Sequence, residues 1–291
     1  MNKRIAIIGA GRVGGAVGHL LNKAGWQISA VVTRSRSSSE KAAEFIGAGA
    51  ATTDAAKAAA DADIVLITTP DGSIRAVCEG IAGHIRKGAT VLHMSGAHTL
   101  DLLDAARSAG AYRAVIHPLQ SVPGREQGAA NLPGSYFRVE ADPEAAGMSR
   151  ELVKALGGIE LAMPKWTGDR DSASLYHAGA VTVSNHLVAL IEHGLAFYQV
   201  LGAEKREAIT AVLPLIKGTL ANIERLGTTE ALTGPVVRGD VETVQGHIDA
   251  MRKRAPELLP LYRMLVRQTV AIARDRGLPE EKSRELLRLV E

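Results

Sequence analysis

Residues 4–14 read RIAIIGAGRVG, an apolar segment that runs directly into a turn with glycines at positions 9, 11 and 14. A buried strand, a glycine turn and a helix in this order are typical of the unit with which a doubly wound sheet binds a dinucleotide. Gly9 allows the tight turn, Gly11 lets the backbone approach a pyrophosphate, and Gly14 lets the helix pack closely on the strand. We therefore predict cofactor contacts along the whole turn, from Gly9, Ala10, Gly11, Arg12, Val13 and Gly14.

The segments that follow the turn favour this interpretation over a glycine-rich turn that binds no ligand. Apolar residues recur at helical spacing over residues 13–24, and a second apolar segment covers residues 28–32. Further buried-strand patterns lie at residues 63–68, 90–95 and 114–117. Unbroken apolar runs rich in β-branched residues indicate parallel strands with both faces covered. The sequence therefore predicts an α/β doubly wound (Rossmann) domain in the first half of the chain.

The end of the second strand predicts which dinucleotide binds. NAD sites usually have Asp or Glu there, which holds the ribose 2′-hydroxyl. This chain instead has Thr33, Arg34, Ser35 and Arg36, and the first acidic residue after the strand is Glu40. Guanidinium and hydroxyl groups suit a 2′-phosphate, since arginine offers a planar fork of donors. We predict NADP(H) as the cofactor; the alternative is a solvated polar loop whose arginines contact only water.

The composition is that of a folded globular protein. Of 291 residues, 46% are apolar and 22% are charged, and the formal net charge is +3. This small charge and the 3% aromatic content argue against nucleic acid as a partner. No apolar run is long enough to span a membrane, and Cys78, the only cysteine, cannot form an internal disulfide. The histidines also lack metal-ligand spacing, so we expect no metal site. From the single cysteine and the short apolar runs we expect a cytoplasmic protein without a membrane partner.

Strand patterns end at about residue 163, and helical patterns follow. We predict a NAD(P)-binding Rossmann domain at residues 1–163 and an all-helical substrate and dimerisation domain at residues 164–291, with the active site in the cleft between them. Helices are predicted at residues 171–201, 204–226, 241–254 and 256–276, with a short helix after Pro279. The first would be about 45 Å long, too long for one small domain to cover. Its apolar side chains therefore predict a homodimer formed through the helical domain.

The carboxyl ends of the predicted parallel strands meet at one edge of the sheet, where ligands bind. Thr69 and Pro70 follow one strand, and Ser95 and Gly96 follow the next. We predict that these four residues contact the cofactor.

His117 and Gln120 follow a further strand at the same edge, within reach of a nicotinamide or a substrate. The segment around them also contains Pro118 and Pro123, which stiffen a loop. Substrate binding and a purely structural role in this loop are equally consistent with the sequence.

The architecture resembles the 6-phosphogluconate dehydrogenase C-terminal-like superfamily, which includes ketopantoate reductase, pyrroline-5-carboxylate reductase, prephenate dehydrogenase and the β-hydroxyacid dehydrogenases. More closely, the chain resembles a family of Rossmann-type oxidoreductases whose helical domain is of unknown function. The segments that carry this resemblance are HPLQS at 117–121, the stretch from His177 through SNHL at 184–187, and LTGPVVRGD at 232–240. The resemblance implies reduction of a small acid, and for some family members the substrate is ketopantoate.

The resemblance also shows a departure. β-Hydroxyacid dehydrogenases have a lysine four residues before an asparagine on the first long helix, where the lysine is the general acid. Four residues before Asn185 this chain has Val181. His177 is an alternative donor, and in a continuous helix His177 and Ser184 share one face with Asn185 nearby. We predict catalytic roles for these three polar residues; the alternative places His177 and Asn185 in the helical core or at a dimer interface.

Two more segments contain candidate site residues. Lys217 lies in an apolar helix and either binds a substrate carboxylate, acts as the acid, or extends to water. Thr233 and Arg238 lie in the loop before the helix at 241–254, where Arg238 would bind a carboxylate in fork geometry. Alternatively, Arg238 pairs with Asp240, which we expect to cap the helix that follows.

These observations together predict an NADP(H)-dependent oxidoreductase, with NADPH reducing a small keto acid such as 2-dehydropantoate. An imine reductase or a prephenate-type dehydrogenase is the alternative among enzymes. A non-catalytic dimeric protein that senses NADP is the alternative of another class, because the usual catalytic lysine is missing.

Overall fold

The computed structural model describes residues 3–291, which form two compact units. The first unit runs up to Ser184, and the second extends from Asn185 to Glu291. The division predicted from the sequence, between residues 163 and 164, stays a prediction. The first two residues of the predicted Rossmann domain lie outside the described range.

An eight-stranded sheet forms the centre of the first unit. Its strands are β1 (Arg4–Ile8), β2 (Gln27–Val32), β3 (Ala50–Thr52), β4 (Ile64–Ile67), β5 (Thr90–His93), β6 (Tyr112–Pro118), β7 (Tyr136–Ala141) and β8 (Ile159–Glu160). Their order is β3-β2-β1-β4-β5-β6-β7-β8, and only the β6–β7 pair is antiparallel. The predicted α/β doubly wound fold is confirmed.

Helices cover both faces of this sheet. They are α1 (Arg12–Lys23), α2 (Arg36–Ile46), α3 (Ala55–Ala60), α4 (Asp71–Ala82), α5 (Asp104–Ser108), α6 (Arg125–Asn131) and α7 (Pro143–Ala155). The last helix of the unit, α8 (Arg170–Val183), buries only Ala173. Alternate residues of β1 point to opposite faces: Ile5 and Ile7 belong to one apolar core, and Ala6 and Ile8 to the other. The unbroken apolar pattern of the strands is explained by burial on both sides.

Strand β3 is missing from the sequence-based prediction. It has only three residues, Ala50, Ala51 and Thr52, and lies at the edge of the sheet, partly exposed. A strand this short lacks the apolar run by which a buried strand is identified in a sequence.

The single helix predicted at residues 171–201 is wrong at one position. The structure has α8 up to Val183 and α9 (Asn185–Val200), and Ser184 between them is the C-cap of α8, with distorted backbone angles of φ −117° and ψ −71°. Thr182 bonds its hydroxyl back to the Ala178 carbonyl at 2.8 Å, and serine and asparagine follow. Side chains that bond to nearby backbone weaken a helix, which explains the interruption.

The second unit contains α9, α10 (Lys205–Ala231), α11 (Val241–Arg254), α12 (Leu259–Asp275) and α13 (Glu280–Leu289). Its core lies among α11, α12 and α13, around Val244, Ile248 and Val270. Helix α10 is kinked at Gly227, where φ is 76°. Helices α9 and α10 bury few side chains, and several of their apolar residues are exposed, including Val188 (68%) and Leu215 (69%).

No helix within residues 3–291 has the length and apolar character that crossing a membrane requires.

Candidate functional site

Of the three glycines in the turn, only Gly11 has open space next to its Cβ position. Gly9 has a φ of +93°, and a Cβ there would lie 2.6 Å from the Thr69 backbone nitrogen. A Cβ on Gly14 would collide with the Thr68 hydroxyl oxygen. A Cβ on Gly11, by contrast, would meet no atom closer than a backbone oxygen at 3.8 Å. Two glycines are therefore required by packing, and the third leaves open space next to the start of α1.

Arg125 on α6 holds this turn in place. Its Nε donates to the Gly11 carbonyl at 3.1 Å, and its Nη2 donates to the Ala10 carbonyl at 2.8 Å. The close approach requires Gly15, because a Cβ there would lie 2.8 Å from the arginine side chain. Sequence reasoning missed Arg125, which is far from the turn in sequence and belongs to no motif. It adds a second guanidinium, besides Arg12, close to the turn.

The residues predicted to bind the 2′-phosphate have different surroundings. Ser35 caps α2 by accepting a hydrogen bond from the backbone of the first turn, and its carbonyl accepts one from the Thr33 hydroxyl at 2.9 Å. Arg36 is bonded to Glu40 at 2.7 Å and to a β3 carbonyl at 2.8 Å. Arg34 is exposed, and no hydrogen bond or ion pair within residues 3–291 involves its side chain. Of the two arginines, Arg34 is therefore the one free to bind an anion.

At the end of β4, two threonines face the glycine turn. The Thr68 hydroxyl donates to the Gly9 carbonyl at 3.0 Å. The Thr69 hydroxyl is buried and has no hydrogen-bond partner within the described chain. A buried hydroxyl without a partner is costly, so a bound ligand is a natural partner for it. Pro70 follows as the cap of α4.

The loop after β5 is held by two buried residues. His93 accepts a hydrogen bond from the Ser95 backbone at Nδ1, at 3.1 Å, and its Nε2 lies 3.0 Å from the Thr99 carbonyl oxygen. Burial lowers the pKa of His93 to about 4, so the ring is neutral at neutral pH. Arg138 on β7 donates through Nη2 to the Ser95 and His98 carbonyls at 3.0 and 2.6 Å. The backbone from 95 to 99 is therefore fixed at four points.

Arg138 is fully buried, which is unusual for a charged side chain. Its guanidinium lies 3.8 Å from the Glu140 carboxylate, 4.7 Å from the Trp166 ring centre and 5.4 Å from that of Tyr176. Burial lowers the pKa of Arg138 and raises that of Glu140. Sequence reasoning missed this group, since a single arginine in a strand pattern indicates neither burial nor a partner.

The structure brings three predicted site residues together: Gly96, His117 and His177. A Cβ on Gly96 would lie 2.7 Å from both His117 Nε2 and His177 Nδ1. His117 Nδ1 lies 2.9 Å from the hydroxyl of Tyr176 on α8, within hydrogen-bonding distance. Burial, followed by the charge of Arg138, lowers the pKa of His117 to about 3, and burial raises the pKa of Tyr176 to about 12. Both side chains are therefore neutral at neutral pH.

The His177 Nδ1 atom is buried, and within residues 3–291 it has no hydrogen-bond partner. Ser184, which the sequence placed on the same helical face, is exposed at the interrupted end of α8. The predicted polar strip of a continuous helix is therefore not formed as expected.

The Gln120 side chain is bonded within its own loop. Its amide nitrogen donates to the Asn131 carbonyl and the Ser135 hydroxyl, both at 3.2 Å, and its oxygen accepts from the Ser121 backbone at 2.8 Å. These bonds favour the structural role over substrate binding.

In the second unit, Asn185, Lys217 and Thr233 are all exposed. Arg238 lies 3.9 Å from Asp240, and Asp240 caps α11 by accepting a hydrogen bond from the Thr243 backbone at 3.1 Å. The predicted cap is confirmed. No group of three or more His, Cys, Asp or Glu side chains in residues 3–291 is arranged to hold a metal ion.

Comparison with known families divides the chain near β7. Residues 2–118 match the Rossmann-like domain, and residues 135–269 match a domain of unknown function, DUF2520. Together the two matches cover most of the chain. This confirms the resemblance to Rossmann-type proteins whose helical domain is of unknown function. The DUF2520 match includes Arg138, Tyr176 and His177, whereas His117 lies in the Rossmann-like match, so residues from both matches meet around Gly96 and Arg138.

Solved structures with the same fold have low sequence identity to this chain. A candidate NADP oxidoreductase from Bacteroides fragilis is 21% identical, with a TM-score of 0.71 over 92% of this chain and 97% of its own. Protein TM1727 from Thermotoga maritima is 23% identical, with a TM-score of 0.70 over 94% and 100%. A pyrroline-5-carboxylate reductase from Coxiella burnetii is 16% identical, with a TM-score of 0.62 over 98% and 99%. No curated protein sequence matches the chain.

Proposed function

We propose that the protein is an NADP(H)-dependent oxidoreductase that reduces a small keto or imine acid, with 2-dehydropantoate as the first substrate to test. The observation that carries this proposal is the glycine turn, where packing requires Gly9 and Gly14 while the space beside Gly11 is open. The names of two structurally similar proteins, an NADP oxidoreductase and a pyrroline-5-carboxylate reductase, support the same class of reaction.

The chain's own residues fit such a cofactor. Gly11 gives the start of α1 no side-chain cap, so the first backbone N–H groups of the helix are available to a pyrophosphate. The unpartnered Thr69 hydroxyl lies beside the same turn. Arg34 would hold a 2′-phosphate, whereas the Ser35 hydroxyl already donates its hydrogen to Ser38 Oγ at 2.9 Å. When bound, the nicotinamide supplies the hydride, and the protein orients it and binds the acceptor.

On the acceptor side, Gly96, His117 and His177 form the polar end of the site. Because the pKa of His117 is lowered to about 3, this ring acts as a neutral hydrogen-bonding group near pH 7. The buried Nδ1 of His177 needs a partner, and a substrate oxygen or nitrogen would supply one.

The remaining sequence-based assignments stay predictions. They are catalytic roles for Ser184, Asn185 and Lys217, and substrate binding by Gln120, Thr233 and Arg238. Asn185→Ala should lower turnover more than cofactor affinity if this amide contacts the substrate.

We also propose that the second unit forms a homodimer. Helices α9 and α10 expose apolar side chains along much of their length, including Val188, Leu190 and Leu215. Exposed apolar area of this extent is typical of an interface between subunits. A cytoplasmic location stays a prediction from the sequence.

The test is titration of the protein with NADPH and NADH, followed by NADPH oxidation with 2-dehydropantoate, a cyclic imine acid and prephenate. Gly11→Ala places a methyl group in the open space and should abolish cofactor binding. Gly147→Ala on α7 is the matched control, because the space around its Cβ is also empty but lies on another helix.

Three outcomes are distinguishable. Saturable NADPH binding with turnover of one acid supports the proposal and identifies the acceptor class. Binding without turnover of any acceptor would favour an NADP-sensing protein. Absence of saturable binding would refute the proposal.

A further inference from the structure

Three polar side chains at the ends of neighbouring strands are linked by hydrogen bonds. The Ser95 hydroxyl donates to the Asp71 carboxylate at 2.8 Å and lies 2.9 Å from His98 Nδ1. His98 Nδ1 is 3.6 Å from the same carboxylate oxygen. Asp71 begins α4 shortly after β4, and Ser95 and His98 follow β5. All three therefore lie at the sheet edge where the glycine turn binds its ligand.

The chemistry of these groups fixes the direction of the bonds. An ionised carboxylate only accepts hydrogen bonds, so the single Ser95 hydrogen points to Asp71. The Ser95 oxygen can then only accept from His98, which requires a hydrogen on His98 Nδ1. In the neutral ring, Nε2 then carries no hydrogen. In the charged ring, Nε2 carries a proton that is donated to no other group within residues 3–291.

Two buried side chains hold the backbone of Ser95 and His98 in place through hydrogen bonds. His93 binds the backbone at Ser95 and Thr99, and Arg138 binds the carbonyls of Ser95 and His98. Both side chains are fully buried, although burying a guanidinium is costly. Such support is what a side chain needs to stay in one reactive orientation.

We propose that His98 is the proton donor of the reduction, oriented by Ser95 and with the Asp71 carboxylate 3.6 Å from its Nδ1. This rests on the proposed oxidoreductase function. It answers the absence of a lysine at position 181, because the donor then comes from the loop after β5 instead of from α8.

The other two histidines near Gly96 are less suited to this role. His117 is neutral over the physiological range, since burial lowers its pKa to about 3. His177 has a buried, unpartnered Nδ1 and no carboxylate bonded to it. The His98 side chain is 34% exposed and has a carboxylate beside it. The charged or titratable groups facing it are Asp71 from α4, His93 from β5 and Arg138 from β7.

The step balances in atoms and electrons. The acceptor carbon gains a hydride from the reduced coenzyme while the C=O or C=N π bond breaks. The heteroatom takes the proton from His98 Nε2, and the imidazolium becomes neutral imidazole. The coenzyme is oxidised and the acceptor is reduced. Water then returns a proton to the partly exposed ring.

The first test needs no substrate. Nitrogen-15 NMR of the full-length protein, with His98→Gln to assign the signals, should show neutral His98 with its hydrogen on Nδ1. Ser95→Ala should shift the ring towards the Nε2–H form that is usual in water. A neutral His98 that already carries its hydrogen on Nε2 would overturn the proposal.

A second measurement places His98 relative to the coenzyme. Exchanging bound NADPH for NADP⁺ adds positive charge to the nicotinamide, so the His98 ring signals should move. The matched control is His84, an exposed histidine just beyond the far end of α4, whose signals should stay in place. Identical His98 signals in both complexes would overturn the proposal while leaving coenzyme binding, and hence the proposed function, intact.

The third test is turnover of the acceptor found in the substrate panel. His98→Gln should lower kcat about 10²- to 10⁴-fold with unchanged NADPH affinity, as expected for loss of a general acid. Asp71→Asn should lower kcat less, and His84→Gln should not change it. Turnover that survives His98→Gln but is lost in His177→Gln would assign the donor to His177 and overturn the proposal. A wild-type protein that does not bind NADPH would refute the proposed function itself.

Discussion

Replacing Arg34 with alanine should weaken the binding of NADPH and leave that of NADH nearly unchanged. Arg34 is exposed, and its side chain has no hydrogen bond or ion pair with any of residues 3–291. The substitution therefore removes no internal contact, and we expect no loss of folding stability. Any loss of affinity then reports the contact with the ligand.

The size of the effect follows from the charge of the 2′-phosphate. A guanidinium about 4 Å from a doubly charged group in water interacts with about 2 kcal/mol, and hydrogen bonds between charged groups contribute about 1.5–3 kcal/mol. We expect a loss of about 1–3 kcal/mol, which raises the Kd for NADPH about 5- to 150-fold. Because the contact is exposed, added salt should reduce the difference.

Arg36→Ala is the matched control, because it removes the same charge two residues away. The Arg36 guanidinium is already bonded to Glu40 and to the Ala51 carbonyl. We expect its loss to change the Kd for NADPH less than about threefold, as for other exposed pairs.

The assay is a fluorescence titration of both coenzymes against wild type, Arg34→Ala and Arg36→Ala at two salt concentrations. Equal losses for NADPH and NADH in Arg34→Ala would refute the phosphate contact. A larger effect of Arg36→Ala would refute the choice of arginine.

Three further perturbations test other features. Arg125→Ala should weaken NADPH and NADH equally, by about 1–2 kcal/mol, because it frees the glycine turn instead of a phosphate contact; a selective loss of NADPH would contradict this. Burial lowers the pKa values of His93 and His117 from 6.5 to about 4 and about 3, so the unfolded chain binds more protons below pH 6.5. The unfolding free energy should therefore fall with decreasing pH from about 6.5 to about 4, by up to about 1.4 kcal/mol per pH unit for each histidine. In His117→Gln, the unfolding free energy measured by urea unfolding should depend less steeply on pH than in the wild type. Leu215→Glu should yield a monomer in light scattering, whereas Leu119→Glu in the first unit should not; an unchanged mass of Leu215→Glu would argue against α10 as the interface.

The glycine turn could be predicted from sequence because its determinants are local. Gly9, Gly11 and Gly14 act within a few residues of one another, and the strand and helix around them have clear periodicity. The doubly wound sheet follows from the same kind of pattern. The interruption at Ser184 was missed because the apolar spacing continues across it, while the competing backbone bonds of polar side chains are weak signals.

The supporting residues of the candidate site could not be predicted in this way. Arg125 contacts a turn that is more than a hundred residues earlier in the chain, and Arg138 is buried only because β7 pairs with β6. The bond between Ser95 and Asp71 also requires two strand ends to meet. Such contacts depend on tertiary structure, so the sequence indicated which polar residues reach the edge but not which of them bond.

The strand β7 has a consequence for how this protein can be divided. The two family matches separate between residues 118 and 135, yet β7 and β8 complete the sheet that begins at β1. Arg138 on β7 also donates hydrogen bonds to two carbonyl oxygens of the loop after β5. A fragment that stops at residue 134 would lose that guanidinium and expose the edge of β6. The Rossmann-like match at residues 2–118 is therefore shorter than the compact first unit, which runs up to Ser184. A fragment designed to express the cofactor-binding part should extend to the end of α8.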